Sequence, residues 1–379
     1  MKKLYLMTPG PTPVPEQIML EMAKPIIHHR TSQFQDVIKQ VEEDLKYVFQ
    51  TKNEVLIFAA SGTGAMEASV ANLLSPGDTA ICVRGGKFGE RWTEICQAYG
   101  IKPVNIDVEW GKAVDPKIIE AALKKDLNVK AVFVTLCETS TGVEIDTKSI
   151  AAVVAKTKAV LVVDAISGLG ACELKTDEWG VDVVVTGSQK GLMIPPGLAF
   201  VSVSPKAWEF VKTSKSPKYY FDFIASKKAL EKTDTPYTPA ITLMIGLAKA
   251  LKMMREETIE AVLARHQKLA RATRAAIVAM GLELFAPTAP SAAVTPVKAP
   301  AGIDGEQIVK VLKSKYGIWV AGGQAELKGK VFRIAHLGYM ADTDVLMTIS
   351  ALEMVLVELG VKVNQGAGIA AAQKELMKK

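Results

Sequence analysis

Cysteine is scarce in this chain. Four residues in 379, Cys82, Cys96, Cys137 and Cys172, carry a thiol, and none pairs as CxxC. That excludes a disulfide framework, a zinc site and iron–sulfur spacing, and the four read as reduced thiols of a cytoplasmic protein. No metal is expected. Long apolar runs are missing too. The opening MKKLYLMTPGPTP has two lysines but only four apolar residues before proline and glycine intervene. It is too short for a signal peptide, and no later stretch approaches a membrane span, so no membrane partner is expected. Charge of one sign is also not concentrated: 46 Lys+Arg against 40 Asp+Glu leave a net +6 spread along the chain. Without a basic stripe interleaved with aromatics, nucleic acid is not an expected partner.

What is present is an ordinary enzyme composition, 49% hydrophobic and 23% charged. A length of 379 residues favours two domains over one core. Through the first two thirds, short apolar runs alternate with helical patterns. VLIF (55–58), TAICV (79–83), VKAVFVTL (129–136), AVLVVDA (159–165), VDVVVTG (181–187) and LAFVSVS (198–204) are rich in β-branched residues and lack strict alternation. Such runs separated by helices indicate an α/β fold with a parallel sheet covered on both faces. From about residue 256 the character changes to a long helical segment and then short strands and helices, a smaller α+β domain. The expected layout is an arm over 1–15, a large domain over 16–255 and a small domain over 256–379. The tail from Val363 is weakly patterned and expected to fray.

In doubly wound sheets ligands sit beyond the carboxyl ends of the strands, so the residues after each run matter most. After VLIF comes AASGTGAME, where glycines at a helix start let backbone N–H groups converge on an anion, naturally a phosphate. It is neither a dinucleotide fingerprint nor a Walker loop, because Glu67 stands where a third glycine would be and no lysine follows. AVLVV ends in Asp164, and VVVTGSQ ends in Lys190, 26 residues later, roughly one strand–helix–strand unit. Each has a bland alternative alone: a structural glycine turn, a helix-capping aspartate, a solvated lysine. Together they match what pyridoxal phosphate needs, namely an amine for a Schiff base, a carboxylate for the pyridinium nitrogen and an anion site.

The chain resembles the class V branch of fold-type I aminotransferases, in particular the alanine–glyoxylate and serine–pyruvate or serine–glyoxylate group. The segments that carry this are TPGPTPVP, HHRTSQF, SGTGAMEA, GKFGERW, ETSTGV, VVDAISGLG, TGSQKGLMIPPG, TPYTPAITL and GKVFRIAHLG, in the family's order over nearly the whole chain. The resemblance implies a seven-stranded, mostly parallel sheet and pyridoxal 5′-phosphate as cofactor. It implies that Lys190 is the Schiff-base lysine and catalytic proton carrier, and that Asp164 pairs with the pyridinium nitrogen. Ser61, Gly62, Thr63 and Gln189 would hold the phosphate. Phe88 would stack on the cofactor, where alanine–glyoxylate members often have tryptophan, and Thr139 would lie beside it. Arg333 would grip the substrate carboxylate, a task suited to its planar fork. Tyr237 and Thr238 would reach the neighbouring subunit's phosphate, although they are offset from some relatives, so a homodimer with shared sites is implied.

The implied reaction is a ping-pong transfer from alanine or serine to glyoxylate or pyruvate. A cysteine desulfurase-like β-lyase is disfavoured because Gln189, not histidine, precedes Lys190 and no cysteine follows Cys172. An aminotransferase for phosphono or phospho substrates stays open. A non-catalytic hydrogenase-associated subunit, a label some relatives carry, is disfavoured by the intact Lys190, Asp164 and phosphate-loop set. Ser167 reads equally as a helix cap or a cofactor neighbour, Trp92 as core, and His28 with His29 as packing.

Overall fold

The computed structural model describes residues 3–378. A seven-stranded sheet is formed by β1 (Val55–Phe58), β2 (Thr79–Arg84), β3 (Lys102–Asp107), β4 (Val129–Thr135), β5 (Val160–Asp164), β6 (Val183–Gly187) and β7 (Ala199–Val203). Its spatial order is β1-β7-β6-β5-β4-β2-β3. All pairs are parallel except those of β7, which runs against both neighbours. The reason lies in the connection: residues 188–198 contain no helix, and a parallel return needs a crossover of a dozen residues or more.

The central strands bury every residue, and alternate side chains enter opposite layers. Leu161, Val163 and Val184 join one core, while Val160, Val162, Val183 and Val185 join the other. This two-sided burial is why the runs lack polar alternation. The first layer contains α1 (Ser32–Phe49), whose Phe34, Ile38, Val41, Leu45 and Val48 share a face. The second contains α2 (Gly62–Leu73) and α3 (Lys87–Ala98), with Trp92 fully buried and stacked on Phe133 at 4.6 Å, as a core residue should be. β3 was not among the expected strands. Its KPVNID sequence has no apolar run and includes Pro103, which an edge position tolerates.

Two long helices, α4 (Ile241–Glu257) and α5 (Ile259–Ala279), lead to a three-stranded antiparallel sheet. Its strands are β8 (Val294–Lys298), β9 (Ala321–Gly322) and β10 (Val331–Ala335), in the order β8-β10-β9. Two helices, α6 (Asp342–Glu358) and α7 (Ala367–Leu376), complete this C-terminal α+β part and share a third core with it. The second of them corrects the expectation of a fraying tail. Ala372 and Leu376 are buried, and the buried Glu353 accepts from the Gly366 and Gly368 N–H groups at 2.9 and 2.8 Å. The helix packs through small residues: a Cβ at Gly368 would come within 2.8 Å of Glu353 and 2.9 Å of Met280.

The segment before α1 crosses between the two sheets. Tyr5–Leu6 pairs in parallel with Ile318–Trp319, and the Met7 carbonyl accepts from Ala335 N–H at 2.9 Å. A few residues on, Thr12 donates its N–H to the Gln189 carbonyl at 3.2 Å and its hydroxyl to the Lys190 carbonyl at 3.0 Å.

Candidate active site

The strand ends converge as the spacing suggests. Asp164 ends β5 opposite Val185 of β6, and Lys190 stands just beyond β6. Beyond β1 the chain enters α2 at Gly62, with Ser61 as N-cap residue whose hydroxyl makes no capping bond. The first N–H groups of α2 therefore keep their capacity to bind an anion. Gly62 lets Ile166 pack closely, since a Cβ there would sit 2.5 Å from that side chain and force it to shift. A cleft of about 200 Å³ is lined by Ser61, Gly62, Thr63, Phe88, Thr139, Asp164, Gln189 and Lys190, among others. The Gln189 amide oxygen is buried without a hydrogen-bond partner, a group that a bound ligand or water would satisfy.

Two titrations are displaced here. Burial lowers the Lys190 amine to about 8, with Cys137 and Asp164 opposing and Arg333 and Arg91 reinforcing the shift. Its Nζ donates to the Pro9 carbonyl, and Gly10 packs against the side chain so closely that a Cβ would lie 2.5 Å from Nζ. Burial raises the Asp164 carboxyl to about 7, and Glu138 adds to this, while the bond from Ile166 N–H and the charges of Arg91 and Lys190 pull it back. A cationic partner would favour the ionised form of Asp164.

Arg333, on β10, is only 5% exposed and reaches across to the segment that follows β4. Its Nη1 donates to the Thr139 carbonyl and its Nε to the Gly322 carbonyl, both at 2.9 Å. Burial lowers its pKa to about 10, with Glu138 and Glu306 opposing. Among the described residues the arginine ion pairs belong to Arg30, Arg84, Arg255 and Arg265, so the Arg333 guanidinium is buried with neutral acceptors only. A buried cation of this kind calls for an anion.

Tyr237 and Thr238 are not brought to this cleft within one chain. They border a separate depression of about 40 Å³ beside Phe58, Tyr220 and Met244, with Tyr237 stacked on Tyr220 at 5.2 Å. Ser167 lines the cleft and accepts from the Thr139 hydroxyl at 2.7 Å, and no helix begins there for it to cap. His28 and His29 pack ring on ring at 4.6 Å, outside the cleft lining.

Sequence reasoning missed two residues. Glu138, 3% exposed, accepts from Phe88 N–H, Gly89 N–H and Ser140 N–H, holding the start of α3. Arg91 lines the cleft three residues after Phe88, a helical spacing that places both on one face and that the sequence already contained.

Comparison with known proteins gives the family. The profile of the family described as Aminotransferase class-V matches residues 4–339. A Synechococcus sp. protein named "Soluble hydrogenase, small subunit" is 49% identical over 99% of this chain and 98% of its own. The serine–glyoxylate aminotransferase of Methylorubrum extorquens is 39% identical over 98% of this chain and 96% of its own. The crystal structure of ureidoglycine–glyoxylate aminotransferase from Bacillus subtilis superposes with a TM-score of 0.94 at 30% identity, covering 100% of this chain and 99% of that one. With a strand-end lysine and aspartate and an uncapped helix start meeting at one cleft, and Arg333 bound to the carbonyl of its lining residue Thr139, the chain belongs to the class-V aminotransferases and is a transaminase.

Proposed function

We propose that this transaminase moves an amino group from alanine or serine to glyoxylate or pyruvate, with pyridoxal 5′-phosphate as cofactor and in ping-pong order. The observation that carries the reading is the convergence of Lys190, Asp164 and the Ser61–Thr63 loop on one cleft beside Arg333. The donor set fits the cofactor: hydroxyls, α2 N–H groups and the Gln189 amide for its phosphate, Phe88 for its ring face, Asp164 for its ring nitrogen and Lys190 for its aldehyde. When bound, the cofactor supplies an electron sink that lets a proton leave the donor's Cα.

The remaining work falls to the chain. Arg333 holds the donor carboxylate in its fork and so fixes which Cα bond faces Lys190. Lys190 Nζ, with its pKa near working pH, takes the Cα proton and carries it during the transfer. Pro9 O is an acceptor for that amine when it bears protons. Asp164 supplies negative charge deep in the site. Glyoxylate in the names of two similar proteins supports a small acceptor, and Gly10 packed against Lys190, with Pro11 beside it in the cleft lining, supports a small donor.

Tyr237 and Thr238 would complete the phosphate site of a second copy, making a homodimer with shared sites. Domain limits at 16–255 and 256–379 after an arm over 1–15, and a cytoplasmic location, belong to the same reading. No helix among the described residues is long and apolar enough to cross a membrane.

The test is a half-reaction screen on the cofactor-loaded protein, following the cofactor's absorbance after each amino acid is added. Alanine or serine should react fastest, and Lys190→Ala should abolish turnover. Faster reaction with phosphorylated or aromatic donors would replace the substrate assignment, and a Lys190→Ala protein with full turnover would remove the mechanism.

A further inference from the structure

The phosphate loop has a charge deficit. Ser61, Thr63, the α2 N–H groups and Gln189 are all neutral donors, yet a phosphate ester carries close to two negative charges at neutral pH. Lys190 is committed to the opposite end of the cofactor. Arg333 is tied to Thr139 and Gly322.

Arg91 is the cation that touches the loop. Its Nη1 donates to the Thr63 hydroxyl oxygen at 3.2 Å. Because that oxygen already accepts, its own proton is left free to donate onward into the cleft. The guanidinium also lies over the Phe88 ring, 5.0 Å from its centroid, a cation–π contact that steadies a long side chain. Phe88 and Arg91 stand three apart in α3, so one helix presents both. Like Arg333, Arg91 is absent from the arginine ion pairs among the described residues.

We propose that Arg91 is a phosphate-binding residue of the cofactor site, supplying the positive charge that the neutral loop lacks, both directly and through the Thr63 hydroxyl. The assignment rests on the pyridoxal phosphate reading above. It makes the α3 face bifunctional: the ring covers the cofactor's face while the guanidinium three residues on answers its phosphate.

The test compares binding of pyridoxal phosphate and of pyridoxal, which lacks the phosphate, to cofactor-stripped wild type, Arg91→Gln and Arg91→Lys by absorbance titration. Losing one charge-assisted contact should weaken pyridoxal phosphate in Arg91→Gln by about 10- to 100-fold. Pyridoxal should be nearly unaffected, and Arg91→Lys should fall between. Inorganic phosphate should raise the melting midpoint of stripped wild type more than that of Arg91→Gln, a readout independent of turnover. Unchanged affinity for pyridoxal phosphate overturns the proposal. So does equal weakening of both aldehydes, which would make Arg91 a support for Phe88. So does a retained phosphate preference with an altered ratio of aspartate to alanine half-reaction rates, which would assign Arg91 to a distal substrate carboxylate. If wild type takes up neither aldehyde, the cofactor reading itself fails, and this proposal with it.

Discussion

At the scale of the residue, Lys190 is defined by what surrounds it. An ordinary lysine amine titrates near 10.5, and burial brings this one to about 8. Only the neutral amine attacks an aldehyde, so the reactive fraction grows as pH rises through the pKa. Capture of pyridoxal phosphate by the stripped protein should therefore accelerate up to about pH 8 and level off above it. Stopped-flow absorbance between pH 6 and about 10 reads this directly; a rate still climbing steeply at the upper end would mean a solvated amine. Gly10 belongs to the same environment. Its φ of +144° and its contact with Lys190 admit no side chain, so backbone itself forms one wall of the lysine's pocket.

At the scale of the element, α3 is held by residues about 50 positions away. The Glu138 carboxylate accepts from Phe88 N–H at 3.1 Å and Gly89 N–H at 2.8 Å, and the Ser140 hydroxyl oxygen accepts from Lys87 N–H at 3.0 Å. A buried carboxylate at a helix start offsets both the orphan donors and the dipole. Glu138→Ala should cost about 2–3 kcal/mol of stability, because buried N–H groups lose their acceptor, and, on the proposed stacking role of Phe88, should weaken cofactor binding by misplacing that ring. Urea unfolding and an absorbance titration check the two halves; a change below about 0.5 kcal/mol would reduce the cap to an exposed-surface contact. Burial decides which elements a sequence exposes and which it hides. β5 and β6 were legible because two-sided burial demands uninterrupted valines, and with them the placement of Asp164 and Lys190. β3 was not, since an exposed edge leaves no apolar signature. α7 was not, since Gly368 and Ala372 pack by being small, and hydrophobic periodicity does not register smallness. Glu138 was hidden for a different reason: its partners are close only after the sheet has formed.

At the scale of the whole molecule, two buried histidines tie the C-terminal part together, His266 in α5 and His336 just after β10. His266 Nε2 accepts from Gly338 N–H at 2.8 Å, and His336 Nε2 meets the Thr295 hydroxyl at 2.9 Å. Burial lowers both from 6.5 to about 3, with nearby arginines adding to the shift. As pH falls, the unfolded chain takes up these protons first. Their contribution is thus complete above pH 6.5 and is lost progressively as pH falls toward 3. Asp164, Glu138 and Glu144, all raised by burial, act with the opposite sign, so the histidine effect is read as a difference between proteins. Between pH 7 and about 4.5 the urea midpoint of wild type should fall further than that of His336→Gln, although the variant starts lower. Equal falls would show that His336 does not titrate with folding.

The strap that joins the sheets has a consequence for biosynthesis. Residues 5–12 leave the ribosome more than 300 positions before their partners at Ile318, Trp319 and Ala335. The large sheet has all seven strands once Val203 is made, and domains fold as they emerge. Until the last third of the chain is translated, the segment carrying Pro9 and Gly10 has no second anchor. A nascent chain stalled before residue 318 would thus present a formed sheet with its Lys190 pocket open on one side, and the cleft would close only near the end of synthesis.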